Sequence, residues 1–172
     1  MKQLITLFLT VAMFSNAFTQ NDKQKIEGFR SFKWGQEITE MKINGELANF
    51  IKVDEGKDKD GDYYILAGDN NKIGNVELRQ ILYVFSKKDG KFFKVILNGK
   101  KDDAEQMNFI VDYKYGDNIN EDKKDDKTIK EWIVNDVTII LREYTLHKFE
   151  LVIESDWEAA EAFRKNTNVS DF

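Results

Sequence analysis

The chain has 172 residues, 41% of them hydrophobic and 13% aromatic, with no cysteine, no proline, one histidine and a net charge of -5. These counts exclude a disulfide framework, a zinc site built on cysteine, a cysteine nucleophile and a thiol-linked lipid. The acidic balance argues against a nucleic-acid partner, which needs a basic patch, and the aromatic content sets the chain apart from disordered sequences.

Met1-Lys2 is a short basic start, and residues 4–14 form an apolar run behind it. Ser15-Asn16-Ala17 then places small residues at the -3 and -1 positions of a cleavage site, which predicts a signal peptide over residues 1–17. No cysteine stands at the cleavage point, so the expectation is a secreted or periplasmic protein rather than a lipoprotein. No later stretch reaches ~18 consecutive apolar residues, so no membrane span is expected in the mature chain.

Residues 18–26 read as a polar tail. Phe29, Phe32 and Trp34 crowd an extended segment that ends at Gly35. Ile38 and Met41 then stand at helical spacing, which predicts a helix over 36–43 stopped by Asn44-Gly45. Strands are expected at 47–53 and 63–67 around a charged turn. The longest strand signal covers 76–86, where Leu82 and Val84 face one way and Tyr83 and Phe85 the other. A turn at Lys88-Asp89-Gly90 leads to a strand over 91–97.

The period then changes. Ala104, Met107, Ile110 and Val111 form one stripe of a helix over 102–115, capped by Gly116. Residues 117–127 read as a solvated loop. Strands follow at 128–134, 137–144 and 149–154, and Ser155 with Glu158 opens a last helix containing Trp157, Ala160 and Phe163.

The expected fold is α+β: an antiparallel sheet of about seven strands with two or three helices packed mainly on one face. It reads as a single domain over 27–166, built from two helix-plus-meander units at 28–99 and 101–165, with residues 167–172 frayed. Strand 76–86 is apolar on both faces over its second half, so the sheet needs cover on its second face or binds a partner there.

Phe29-Arg30-Ser31-Phe32-Lys33-Trp34-Gly35, the apolar Met41, Tyr115-Gly116 and the terminal Asp171-Phe172 together resemble the opening and closing motifs of small exported bacterial proteins of unknown function. That group is similar in fold to outer-membrane small protein A and the β-lactamase inhibitor protein. The resemblance implies an exported scaffold or binding role. Gln36-Glu37 stands where the group carries a Ser or Thr cap, and the lipoprotein cysteine is absent, so membrane anchoring is not implied.

Four sets of residues bear on function. Asp58, Asp60 and Asp62 match positions 1, 3 and 5 of a calcium loop, and Asp69 falls where its bidentate Glu belongs. Tyr63 replaces the glycine of the sharp bend, so the preferred reading is an acidic turn around Asp60-Gly61, and no cofactor is expected beyond that calcium alternative. Trp34, Tyr64, Tyr83 and Phe93 are the rings that would form a binding surface for a glycan or protein partner in the envelope, against the ordinary alternative of core packing. His147 lies in a turn, with no serine in a G-x-S-x-G context to serve. A pair of carboxylates running glycoside hydrolysis is the enzymatic alternative, but no feature singles out a pair. The leading expectation is therefore a non-enzymatic binding or scaffold protein, with a carboxylate hydrolase and a calcium-stabilised module as alternatives.

Overall fold

Two small hairpins open the chain in the computed structural model, which describes residues 25–53 and 61–156. Gly28–Phe29 (β1) pairs with Phe32–Lys33 (β2), and Lys42–Ile43 (β3) pairs with Glu46–Leu47 (β4). One turn of 3-10 helix, Ile38–Glu40, lies between them. A nine-stranded sheet follows. Phe50–Val53 (β5), Gly61–Leu66 (β6), Lys72–Ile73 (β7), Val76–Ser86 (β8) and Phe92–Lys100 (β9) make its first meander. A 3-10 turn, Lys101–Asp103, then leads into the helix Ala104–Tyr115 (α1). The second meander is Asn120–Lys124 (β10), Lys127–Val134 (β11), Val137–Tyr144 (β12) and Lys148–Ser155 (β13).

The strands lie in the order β10-β11-β12-β13-β9-β8-β6-β5, with β7 also paired to β8, and every pair is antiparallel. β9 and β13 meet at the centre, so α1 carries the chain from the middle of the sheet out to its far edge. No helix among the described residues is long and apolar enough to cross a membrane.

The expected α+β fold is corrected by this arrangement. The described chain is mostly strand, with one α-helix rather than two or three packed on the sheet. The helix expected over 36–43 shrinks to three residues, because a segment that short gains too few hydrogen bonds to offset nucleation. Asn44 and Gly45 both take positive φ, 53° and 88°, so they form the turn of the β3–β4 hairpin instead of a helix stop. Residues 120–124, expected in a loop, form an edge strand whose side chains are all exposed. Such a strand carries no apolar alternation to reveal it, and its charges guard the sheet edge. The expected closing helix falls at 155–166, of which only Ser155, the end of β13, and Asp156 lie within the described residues.

Most of the core lies on the α1 side of the sheet. Met107 and Val111 point down from the helix onto Leu97, Ile139, Leu151 and their neighbours. Polar contacts fix the helix to β11: the Trp132 indole donates to Asp112 at 3.0 Å, and Lys130 donates to Asn108 at 2.9 Å. The opposite face carries a smaller apolar cluster of Tyr63, Leu82 and Val84 with Val53, Ile65, Phe93 and Ile96 packed against it.

Gly99 on β9 stands opposite Phe149 on β13, and a Cβ at Gly99 would overlap the Phe149 ring. Gly99→Ala is expected to destabilise the fold by about 1–3 kcal/mol through this overpacking. Urea denaturation measures it, and an unchanged midpoint would show that the ladder does not depend on this contact.

Candidate functional site

The β1–β2 hairpin is stapled to the sheet by its own aromatics. Phe29 and Phe32 are buried, and their rings meet the ring of Tyr83 on β8 at centroid distances of 6.0 and 5.8 Å. This docking lays the two-residue turn Arg30-Ser31 beside the loop that follows β6. Arg30 has φ of 56°, a region that non-glycine residues seldom enter. Its guanidinium forms an ion pair with Asp69, donates to the carbonyl of Asn70 and lies 5.4 Å from the Phe29 ring centroid.

Asp69 completes the cluster. Its side chain is 9% exposed, and it accepts a hydrogen bond from the Tyr83 hydroxyl at 2.8 Å and another from the Asn70 amide at 2.8 Å. A carboxylate this deep needs a cation and donors together, and the cluster supplies both. Burial pushes the Tyr83 phenol up to about 12, with the nearby Arg30 charge pulling the other way.

Beside this cluster lies a half-open groove of about 300 Å³ between α1, the β1–β2 hairpin and the sheet, with its floor residues Leu97, Met107, Ile139 and Leu151 at most 2% exposed. Leu97, Ile139, Leu151 and Ile153 line it from the sheet, and Met107, Ile110 and Val111 from the helix. Its polar lining comes only from Arg30, Lys114 and Tyr115. Those three residues also line an adjoining open basin of about 480 Å³, together with Lys25, Glu27 and Lys33. They therefore mark the edge where the apolar floor of the groove meets a cationic basin. Volume and lining fall at the small end of the range for ligand pockets.

The residues singled out from the sequence are scattered. Asp58 and Asp60 lie outside the described residues. Asp62 sits within β6 and pairs with Lys52 at 2.9 Å, while Asp69 is taken up by Arg30 and Tyr83. Among the described residues no group of three or more His, Asp or Glu side chains is placed to hold a metal ion. Of the four rings, Tyr83 is 0% exposed within the core. Trp34 packs on Phe92 at 4.8 Å and Tyr64 on Phe85 at 5.2 Å, both on the α1 side of the sheet. Phe93 belongs to the opposite face, beneath the Lys94 ammonium at 5.0 Å. His147 is exposed in the turn before β13.

Three carboxylates on the sheet and α1 are engaged by neighbouring side chains. Glu150 pairs with Arg142, Glu154 with Lys94, and Asp112 accepts from Trp132 and Asn108. Sequence reasoning did not find Arg30 or the groove, because the partners meet only through the hairpin's docking. It also passed over Phe109 and Tyr113, whose rings stack on the outer face of α1 at 61% and 85% exposure. The chain matches no protein-family model, no curated protein and no solved structure.

Asp69→Ala is expected to cost about 2–3 kcal/mol, at or below the low end for a buried pair because the Arg30 side chain is partly exposed. Asp69→Asn, which keeps an acceptor for Tyr83, should cost less. Denaturation of the two variants side by side checks the order, and equal losses would show that the charge alone matters.

The Tyr83 phenol also predicts a pH response. Between its unfolded value near 10 and its folded value of about 12 the unfolded chain sheds a proton that the folded chain keeps, so stability falls as pH rises. The loss attributable to this group is about 3 kcal/mol across that window. Tyr83→Phe should flatten that slope, whatever its effect at neutral pH. Denaturation midpoints from pH 9 upward test it, and parallel slopes for the two proteins would refute it.

Proposed function

We propose that the chain is an exported binding protein of the bacterial envelope that acts without catalysing a reaction. The observation that carries this reading is the groove between α1 and the β1–β2 hairpin, with an apolar floor and its polar groups Arg30, Lys114 and Tyr115 gathered at one end. A concave apolar surface with a few convergent polar groups is the usual form of a small-molecule site. Export is supported by the basic, apolar and small-residue order of residues 1–17. The resemblance of the Trp34-Gly35 opening to small exported bacterial proteins supports the same reading.

The test is expression with the native start in a bacterial host, followed by fractionation and mass spectrometry. The expected result is an envelope form that has lost residues 1–17 and whose native mass exceeds its denatured mass by a bound small molecule. A full-length chain retained in the cytoplasm would overturn export. An exported chain whose native and denatured masses agree would overturn binding.

A further inference from the structure

We propose that the sheet face turned away from α1 carries, at one end of the second meander, a docking surface for an anionic lipid bilayer, independent of the groove. The strand registers assemble it. Lys148 on β13 stands opposite Lys100 on β9, and Lys127 on β11 stands opposite both Tyr144 on β12 and Lys124 on β10. The Lys127 and Lys148 ammoniums lie 5.7 and 4.9 Å from the Tyr144 ring centroid, so these side chains share one face. A single row therefore runs Lys100, Lys148, Tyr144, Lys127, Lys124 across five neighbouring strands. With strands ~4.8 Å apart the row is ~19 Å long. Phe149, the residue after Lys148, belongs to the core on the α1 side, and alternation puts the row on the opposite face.

The next row on that face holds Asn98, Glu150, Arg142, Ile129 and Asp122. Both of its carboxylates are taken, Glu150 by Arg142 at 2.6 Å and Asp122 by Lys124 at 3.2 Å. Among the described residues Lys100, Lys127 and Lys148 have no carboxylate at ion-pair distance. Asp125 and Asp126, in the turn between β10 and β11, offset part of the positive excess, and Lys101 adds to it. This local excess stands against a chain whose net charge is -5. The turn between β12 and β13 adds an apolar point at the end of the row. The Thr145 amide donates to the Asp126 carbonyl at 2.9 Å, and the Lys101 ammonium donates to the Thr145 carbonyl at 2.6 Å. Beside these bonds Leu146 stands 76% exposed. Cations, a tyrosine and an exposed leucine together suit the layers of an anionic bilayer surface: lysines meet lipid phosphates, the phenol ring sits at headgroup level, and the leucine reaches hydrocarbon. An acidic polysaccharide uses the cations but leaves Leu146 in water.

The experiment is co-sedimentation of the purified chain with vesicles of phosphatidylcholine alone and of phosphatidylcholine mixed equally with phosphatidylglycerol, with alginate as a soluble acidic polysaccharide for comparison. The neutral vesicles measure any contribution of the apolar run at residues 4–14, which parent and variants share. The mixed vesicles are expected to bind the protein and the neutral ones to bind it far less, with the difference shrinking as salt is raised. Lys100 and Lys148 are exposed, so replacing both (Lys100→Gln with Lys148→Gln) should leave the fold intact and lower binding to the mixed vesicles about tenfold or more. Should that protein fail to fold, Lys124→Gln with Lys127→Gln carries the same expectation. Leu146→Ser should weaken vesicle binding about threefold or more while leaving its salt dependence in place. Equal binding to the two vesicle types, or lysine variants that bind the mixed vesicles as the parent does, overturns the docking surface. A Leu146→Ser protein that binds as well as the parent, or a parent that binds alginate and leaves the mixed vesicles alone, overturns the bilayer as its occupant.

Discussion

The ladder between β9 and β13 is the pairing on which the rest of the molecule depends. It joins the first strand meander to the second, residue against residue from Lys94↔Glu154 to Lys100↔Lys148. Because β13 is the last strand of the described chain and β9 the last of the first meander, the sheet closes at its centre only when both meanders are in place. Alternating side chains along these two strands then put Leu97, Leu151 and Ile153 on one face, and Val152, Glu154 and Lys94 on the other. A shift of one residue would exchange those faces. Gly99 opposite Phe149 resists such a shift, since only at that position does the ring find a residue with no side chain.

That central pairing dictates the path of α1. The chain leaves β9 in the middle of the sheet and must reach β10 at the edge before the second meander returns strand by strand to the centre. A helix laid across the sheet face covers the distance and buries Ala104, Met107 and Val111 on the way. Trp132 and Lys130 on β11 seize it through Asp112 and Asn108, so its position is set by side-chain hydrogen bonds as well as by hydrocarbon contact.

Local pattern in the sequence carried a good part of this fold. The strand expected at 76–86 is β8 and that at 137–144 is β12, because both are long runs rich in β-branched and aromatic residues, and α1 ends at Tyr115 as its stripe and Gly116 required. What failed were segments whose local pattern serves two structures. Ile38 and Met41 suit a helix face, but Met41 is instead a single buried anchor before a hairpin, and Asn44-Gly45 marks that hairpin as readily as a helix end. β10 was illegible because five exposed polar residues have no period to show. The site was less legible still. Asp69 and Tyr83 both stood out in the sequence, one for its place in a calcium-like spacing and the other as a ring, yet their direct bond and their shared neighbour Arg30 are products of tertiary docking. No spacing rule links Arg30 to Asp69 and Tyr83, 39 and 53 positions further along the chain.

The groove follows from the proportions of the layers. A helix of 12 residues is ~18 Å long and strands lie ~4.8 Å apart, so α1 laid across the sheet covers about four of them, β9, β13, β12 and β11. The sheet is nine-stranded, and among the described residues the first meander has no α-helix of its own to cover it. The N-terminal hairpins take that role, bringing Phe29, Phe32 and Met41 over β8 and β9, where they pack with Tyr83, Phe85 and Phe92. A hairpin and a helix have different widths and surface textures, and they meet along a line above Leu97, Leu151 and Ile153. Large rings fill the hairpin side of that line, whereas the helix side presents Met107, Ile110 and Val111, and a gap is left between them. Arg30 caps the gap from the hairpin turn and Lys114 from the last turn of α1, so the two covering elements each bring one cation to the same opening. The two covers thus leave an apolar groove with a charged rim where they meet.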